Sequence, residues 1–405
     1  MAVLANSLSD VIPQILAMGL KVLREQAIMP RLVNTDLSAE AREKGDTITV
    51  PKSVAQAVRN VVPDQTATNV NTTPTKATVT LNRWRESVFM MSDKDLGSIA
   101  NGVIPRQAEE AVKALANDVD SWILQQLYQK TYHYAGTAGT TPFAGVAPVT
   151  TLAAFKSVRT KLVKSLVPMD GNLSVVLDPD AEANALIMSP FLKADERGDQ
   201  GAIIAANIGR KLGFNWYVDQ NVQSHTAGGI VTAAGTAKHP TVAVAISATA
   251  LATAITAALQ STTNIGELHV GDIFTIENNT GQQFVVTAAV STTTIAAATT
   301  ITIAFQPPLT VRASTTNTIT FLGTRGTAYV NNVMFHRDAF YFASRPLLAT
   351  SEAGLGSIFQ SAIDPISGLA LRLEVSRQNK MNTWAFDILY GGKALRPELA
   401  GRILG

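Results

Sequence analysis

The sequence contains no cysteine among its 405 residues. Disulfide bonds, cysteine-ligated metal sites and thiol nucleophiles are therefore excluded, and stability has to come from burial and association. An excess of charge is also missing, because 33 basic and 31 acidic residues leave a formal net charge of +2. This balance provides no overall attraction to nucleic acid, so any contact with DNA has to be local or weak.

The N-terminal part lacks a long uninterrupted apolar run. Its most apolar stretch, VIPQILAMGLKVL, is interrupted by Pro13, Gln14 and Lys21, and no basic residues precede it. The stretch therefore fits neither a signal peptide nor a membrane span. Its apolar residues recur at helical spacing, which predicts an amphipathic helix that docks either on the chain's own core or on a neighbouring subunit.

Catalytic and cofactor-binding signatures are absent too. The sequence has no G-x-S-x-G elbow, no Walker loop and no H-E-x-x-H, and its five histidines lack metal-ligand spacing. His269, Asp272 and Glu277 lie close together in sequence, but we interpret them as turn and surface residues. We therefore predict no catalytic residue, no metal ligand, no cofactor and no enzymatic activity.

Two alternating runs, KGDTITVPKS and KATVTLNRWRESVFM, are separated by a polar tract. The alternation predicts two strands of one extended hairpin. On the second strand Arg83 and Arg85 are expected on one face and Trp84 on the other. An apolar face on an arm with little core of its own suggests contact with another chain.

The period then becomes helical in IPRQAEEAVKALANDVDSWILQQLYQK, which predicts a strut helix roughly 40 Å long with Pro105 in its first turn. A mixed α/β body follows, with a second helix in LAAFKSVRTKLVKSL, a buried strand in LSVVLDP and a helix in AEANALI. The C-terminal part is expected to contain strands, a Gly-Gly turn and a short polar tail.

From about Gln223 to Arg325 charge almost vanishes, and short β-branched runs alternate with turn residues. Many short strands without charge to protect open edges predict a closed barrel or a sandwich. Because mixed α/β sequence flanks it on both sides, we predict an insertion in a surface loop of the body.

This order of elements resembles the major capsid (coat) proteins of tailed double-stranded DNA bacteriophages, in the branch that carries an inserted β-barrel domain. The residues that carry the resemblance are NSLSDVIPQILAMGLKVLREQAIMPRLVN, KGDTITVPK, IPRQAEEAVKALANDVDSWIL, LHVGDIFTI and TWAFDILYGGKALRPELA. The resemblance implies an α+β fold with an inserted all-β barrel. Its expected segments are an N-terminal arm at 1–35, an extended loop hairpin at 36–100, a spine helix and peripheral domain at 101–149, a first part of the axial domain at 150–222, the barrel at 223–325 and a return through the axial and peripheral domains at 326–405.

The resemblance also implies a structural protein that self-assembles as pentamers and hexamers into an icosahedral shell around the phage genome. The implied partners are further copies of the chain, a separate scaffolding protein, a portal protein, a decoration protein and weakly bound packaged DNA, with no membrane. The implied location is the virion capsid, assembled in the bacterial host cytoplasm. We predict subunit or scaffold contacts at Leu16, Leu20, Arg24, Arg83, Trp84 and Arg85.

Two alternatives remain at this point. One is the shell protein of a cargo-enclosing nanocompartment of the same fold, against which the inserted β unit argues. The other is a phage tail or receptor-binding protein, against which the strut helix and the long hairpin argue.

Overall fold

The computed structural model describes residues 8–36, 47–52, 58, 60, 63, 75–92, 94, 103–145, 152–188, 191, 208–232, 239–247, 250–259, 264–279, 281–295, 300–347 and 357–405. The chain divides into two compact units. The first comprises Met1–Ala116 and Tyr341–Leu395, and the second comprises Asn117–Phe340 and Arg396–Gly405.

The described helices are α1 (Leu8–Gln26), α2 (Met29–Leu32), α3 (Val103–Lys130), α4 (Ala153–Lys164) and α5 (Pro179–Leu186), with short 3-10 turns at Arg337–Ala339 and Pro397–Leu399. At about 1.5 Å per residue, α3 is roughly 40 Å long. It begins two residues before Pro105, which confirms the predicted strut helix.

The described strands are β1 (Thr47–Lys52), β2 (Thr75–Thr80), β3 (Arg83–Ser92), β4 (His133–Gly136), β5 (Leu173–Leu177), β6 (Arg210–Lys211), β7 (Phe214–Val218), β8 (Ser224–Thr226), β9 (Gly229–Thr232), β10 (Thr241–Val242), β11 (Ala254–Ala258), β12 (Asn264–Leu268), β13 (Ile273–Ile276), β14 (Phe284–Val286), β15 (Val290–Ile295), β16 (Thr300–Gln306), β17 (Ile319–Phe321), β18 (Ala328–His336), β19 (Phe340–Arg345), β20 (Ser357–Ile363), β21 (Ala370–Gln378), β22 (Met381–Ala394) and β23 (Ala400–Leu404).

In the first unit, the main sheet has the order β19-β22-β21-β20, and β3 also pairs with β22. Helix α1 packs on this sheet through Ile15, Leu16 and Leu23, which are buried. Gly19 permits the close approach, since a Cβ there would lie 3.3 Å from Cδ2 of Leu371. Of the two docking modes predicted for this helix, the structure therefore shows packing on the chain's own core.

The predicted hairpin is confirmed for β1 and β2, but its second strand is shorter than predicted. Strand β1 pairs antiparallel with β2, with Thr47 opposite Thr80. The alternating run does not continue as one strand, because it breaks at Leu81 and Asn82, and β3 pairs with β22 instead. Trp84 lies opposite Leu389 in this ladder. The cluster around Trp84 thus belongs to the main sheet of the first unit.

The predicted Gly-Gly turn is also wrong, because β22 runs straight through Gly391 and Gly392. A Cβ at Gly391 would collide with the backbone oxygen of Thr80 and lie 2.8 Å from Cα of Leu81. Glycine therefore serves a close backbone crossing at this position.

The second unit contains a mixed sheet of order β4-β23-β18-β5-β7-β6, with β8 also paired to β18. Helix α4 packs nearby through buried Phe155, whose ring stacks on Trp216 with centroids 5.1 Å apart. The predicted polar tail is wrong: β23 is buried at all five residues and pairs with β18 and β4. Even Arg402 is fully buried there.

A second sheet in this unit has the order β10-β11-β16-β14-β13-β17. It closes into a barrel, because Val242 N donates to Asn317 O at 2.9 Å and Ile319 N donates to Pro240 O at 2.8 Å, joining the first strand to the last. Aliphatic and phenylalanine side chains fill its core, where Phe274 stacks on Phe284 and meets Phe305 edge-on. The predicted barrel is thus confirmed.

The chain enters and leaves this β region at neighbouring points. Strand β8 pairs antiparallel with β18, and Ala227 N donates to Thr327 O at 2.8 Å. Gly326 N in turn donates to Ala227 O at 2.9 Å. Such an arrangement is what an insertion between two paired strands requires. The domain boundaries themselves stay a prediction.

Candidate contact surface

Strand β3 presents a stripe of large apolar side chains on one face of the main sheet in the first unit. Side chains alternate along a strand, so Trp84, Val88 and Met90 share one face, together with the exposed Glu86. Their exposed fractions are 61%, 45% and 63%. On the opposite face Phe89 stacks on Trp384, which is buried. One face is thus packed into the core, while the other offers large apolar side chains to solvent.

A buried carboxylate holds Trp84 in place. The indole Nε1 donates to Oδ2 of Asp387 at 2.9 Å, and Asp387 is only 4% exposed. Arg372 donates to both carboxylate oxygens, from Nε at 2.9 Å and from Nη2 at 2.5 Å. The guanidinium also lies 5.9 Å from the centre of the Trp84 ring and 5.5 Å from that of Phe359.

This bidentate pair lies between adjacent strands, since Arg372 is opposite Asp387 in the β21–β22 ladder. Planar Arg–carboxylate pairs fix geometry as well as charge. An exposed tryptophan that is already held in one orientation loses little conformational entropy when a partner covers it. We call the set Trp84, Val88, Met90, Arg372 and Asp387 the β3 surface.

Of the six contact residues predicted from the sequence, one belongs to the β3 surface. Trp84 belongs to it, while Arg83 is half-buried and Arg85 is exposed. Leu16 is only 2% exposed, because its own unit buries it, and Leu20 is half-buried. The side chain of Arg24 lies outside the described residues. A role of these six residues in subunit or scaffold contact stays a prediction.

Four members of the β3 surface were not predicted from the sequence. Val88 and Met90 have the same parity as Trp84 in the alternating run, so continuing the alternation would have found them. Arg372 and Asp387 lie about 300 residues further along the chain. No local pattern connects them with Trp84.

The acidic residues near the β12–β13 turn in the second unit serve the fold. Asp272 accepts hydrogen bonds from the backbone nitrogens of Gly228 at 3.0 Å and His269 at 2.7 Å. Its Oδ1 also lies 2.8 Å from Nε2 of His225. Asp272 is therefore a turn residue as predicted, but it is buried, so its assignment to the surface was wrong.

Glu277 lies apart from this cluster. Its Oε2 accepts from Thr318 N at 3.0 Å, and this hydrogen bonding lowers the pKa of the Glu277 carboxyl. The three residues His269, Asp272 and Glu277 therefore do not converge on one point. Among the residues that the structure describes, no group of three or more His, Asp or Glu side chains is placed to hold a metal ion.

Arg402 carries a charge into the core of the second unit. Its Nε donates to Thr131 O at 3.0 Å, and both Nη1 and Nη2 donate to Gly271 O at 3.0 Å. Nη1 also donates to Oδ1 of Asn331 at 3.3 Å. One side chain thereby joins β23 to the end of α3 and to the β12–β13 turn.

No described helix combines the length and the apolar character needed to cross a membrane. No family model matches the sequence, and no curated protein matches it.

Solved structures with a similar fold include chains from two phages. A chain from the structure of Mycobacterium phage Che8 is similar with a TM-score of 0.51 at 15% sequence identity, over 93% of this chain and 91% of that chain. A chain from the capsid structure of the Cyanophage P-SCSP1u is similar with a TM-score of 0.50 at 12% identity, over 93% of this chain and 87% of that chain. The predicted α+β fold of the tailed-phage major capsid proteins is therefore confirmed.

Proposed function

We propose that this chain is the major capsid (coat) protein of a tailed double-stranded DNA bacteriophage. In this proposal it self-assembles as pentamers and hexamers into an icosahedral shell that encloses the genome, and it has a structural role without enzymatic activity. The observation that carries the proposal is the fold. It is shared with a phage capsid chain over 93% of the length of the present chain.

The β3 surface supports the assembly step. It presents three large exposed apolar side chains, one of which is a preordered tryptophan, on one face of the sheet. Apolar patches of this kind mark protein contacts, and aromatic and arginine side chains are enriched where such contacts contribute most free energy. We infer that a neighbouring subunit or a scaffolding protein covers this face during assembly.

Charge and composition support the same role. Many copies of a chain with a net charge of +2 can pack closely without strong repulsion. The same weak charge lets the shell hold DNA without binding it tightly. Stability without disulfides then comes from shared interfaces. We further propose a portal protein and a decoration protein as partners, the virion capsid as the location, and assembly in the host cytoplasm.

Negative-stain electron microscopy of the purified chain, produced with and without its scaffolding protein, tests this proposal. The wild type is expected to form closed shells with the scaffold. Val88→Asp combined with Met90→Asp should stay unassembled, because it places two charges in the apolar stripe. Both residues are exposed, so the thermal midpoint of the unassembled subunit should change little.

Val88→Ile combined with Met90→Leu is the matched control, since it keeps the stripe apolar and should assemble normally. Normal shells from the aspartate variant would refute the β3 surface as the contact. Absence of shells from the wild type, with the scaffold present, would refute the capsid function. Shells that enclose DNA distinguish the capsid from a cargo-enclosing compartment.

A further inference from the structure

The second unit contains a cleft of about 660 Å³. One wall comes from α4 and from the two residues Tyr132 and His133 that follow the end of α3. The other wall comes from barrel loops at residues 279, 281–283, 307–308 and 310–311. The cleft therefore lies where the barrel faces the helices of its own unit.

Lys161 brings a positive charge to this cleft. Its Nζ donates to the backbone oxygen of Tyr134 at 2.5 Å and to Oε1 of Gln283 at 2.9 Å, and it lies 5.2 Å from the centre of the Tyr134 ring. An ammonium group has three N–H donors, so one stays available. Burial lowers the pKa of Lys161, and no carboxylate among the described residues lies close enough to compensate its charge.

One neighbouring side chain fixes Lys161 in place, and another adds a second cation. Oε1 of Gln283 accepts from Tyr134 N at 3.0 Å as well as from Lys161, so the side chain is anchored through its oxygen. The Gln283 side chain also forms a hydrogen bond with the side chain of Tyr134. Lys164, one helical turn after Lys161, is exposed and has no described ion pair.

The rest of the lining is largely apolar and includes Leu251, Pro307, Pro308 and Val311. Gln282 braces this wall, because its Nε2 donates to Pro308 O at 2.7 Å and its Oε1 accepts from Thr310 N at 3.2 Å. The described lining includes no aspartate and no glutamate. Two lysines, one of them with an unused N–H donor, thus share the cleft with a braced wall that includes apolar side chains.

We propose that this cleft binds a peptide segment of a partner protein that presents a carboxylate beside an apolar side chain. The carboxylate accepts from Lys161 and Lys164, and the apolar side chain lies against Pro307 and Pro308. Charge-assisted hydrogen bonds to a partly buried cation supply specificity. The proposal does not depend on shell assembly, because every contact comes from one chain.

A nucleic-acid phosphate shares the anionic chemistry, but the cleft suits it less well. Nucleic-acid grooves follow the backbone with a continuous row of cations and stack bases on aromatic side chains. Here the described lining carries two lysines, and the barrel side contributes Leu251, Pro307, Pro308 and Val311 and no aromatic ring. The observations therefore favour a peptide.

Saturation-transfer difference NMR on the full-length protein tests the proposal with three probes. These are the amide of N-acetyl-leucyl-glutamate, its neutral counterpart with glutamine in place of glutamate, and tetrathymidylate. The glutamate dipeptide should bind at least about tenfold more tightly than the glutamine dipeptide. Equal affinity, absence of binding by either dipeptide, or tighter binding of tetrathymidylate would each overturn the proposal.

Three variants locate the binding. Lys164→Gln should weaken binding of the glutamate dipeptide about tenfold, whereas Lys156→Gln, an exposed lysine of the same helix outside the cleft, should leave it unchanged. Gln283→Glu places a carboxylate beside Lys161, so the Tm should rise while dipeptide binding is lost. A variant with raised Tm and unchanged binding would show that the dipeptide binds elsewhere.

Discussion

At the scale of single residues, Arg402 shows how one buried charge can organise a fold. Burial lowers the pKa of its guanidinium, but arginine keeps its proton in proteins, so the charge has to be satisfied inside the unit. Backbone oxygens of Thr131 and Gly271 do this together with Asn331. Removing the guanidinium leaves these buried acceptors without donors.

We therefore expect Arg402→Met to lower the free energy of unfolding by about 3 kcal/mol, since buried acceptors would lose charged donors. Urea unfolding at fixed protein concentration measures this. Arg312→Met is the matched control, because Arg312 is exposed. If both variants lost the same free energy of unfolding, the hydrogen bonds of the buried Arg402 would contribute no more than an exposed arginine does.

His133 provides a prediction about pH. Burial, together with the neighbouring Lys161 charge, lowers the pKa of His133 from 6.5 to about 4. Between these values the unfolded chain binds a proton that the folded chain does not. Stability therefore falls as the pH decreases through this window, by up to about 1.4 kcal/mol per pH unit.

His133→Gln removes this titration and retains a group that can bond to Ser165, which lies 3.0 Å from Nε2 of His133. Unfolding free energies at pH 7 and pH 4.5 should differ less in the variant than in the wild type, by about 2 kcal/mol. Carboxyl groups titrate in both proteins, so the comparison isolates the histidine. Identical pH dependence would contradict the prediction.

At the scale of elements, a glycine in strand β22 lets another segment cross the strand. The backbone at Thr80 and Leu81, at the end of β2, passes over Gly391. Any Cβ at this position would force the two backbones apart, and a backbone contact relaxes poorly. The absence of a side chain at Gly391 therefore permits the crossing.

Gly391→Ala should consequently lower the free energy of unfolding by about 2 kcal/mol, because it overpacks the crossing. Thermal or urea unfolding measures the loss. Gly281→Ala serves as the control, since a Cβ at Gly281 meets open space. If both alanine variants unfolded alike, the crossing would not be tight.

At the scale of the whole molecule, we propose that the region between β8 and β18 is a separable insertion. Its ends meet at Ala227 and Thr327, which are hydrogen-bonded to each other. Yet its turn at Gly271 and Asp272 supplies acceptors to Arg402 and His225 in the surrounding unit. Removing the insertion should therefore leave β8 and β18 easy to connect, but it should lower the free energy of unfolding.

Replacing residues 228–326 by an Asn-Gly turn tests this, because such a turn suits two paired antiparallel strands. The shortened chain should fold, but its free energy of unfolding should be lower by about 3 to 5 kcal/mol. The reason is that Arg402 and His225 lose their hydrogen-bond acceptors. Adding Arg402→Met and His225→Phe should restore part of that loss. A chain that stays unfolded even then would show that the insertion and its host fold as one unit.

The local elements could be read from the sequence because their signals are local. Helix α3 and strand β5 follow from periodicity and apolar runs, since neighbouring side chains alone determine which face a residue occupies. The barrel followed from the loss of charge and the repeated turns. The order of these elements then indicated the capsid fold, although no catalytic or metal-binding motif contributed.

The pairing of these elements could not be read in the same way. Strand β3 alternates equally well for a hairpin with β1 and for its observed place beside β22, about 300 residues away. The C-terminal residues were predicted to form a short polar tail, and only the oxygen atoms that surround Arg402 make its burial favourable. Alternation and composition thus specify the faces and types of elements, whereas strand partners and buried charges depend on contacts between distant segments that no local pattern encodes.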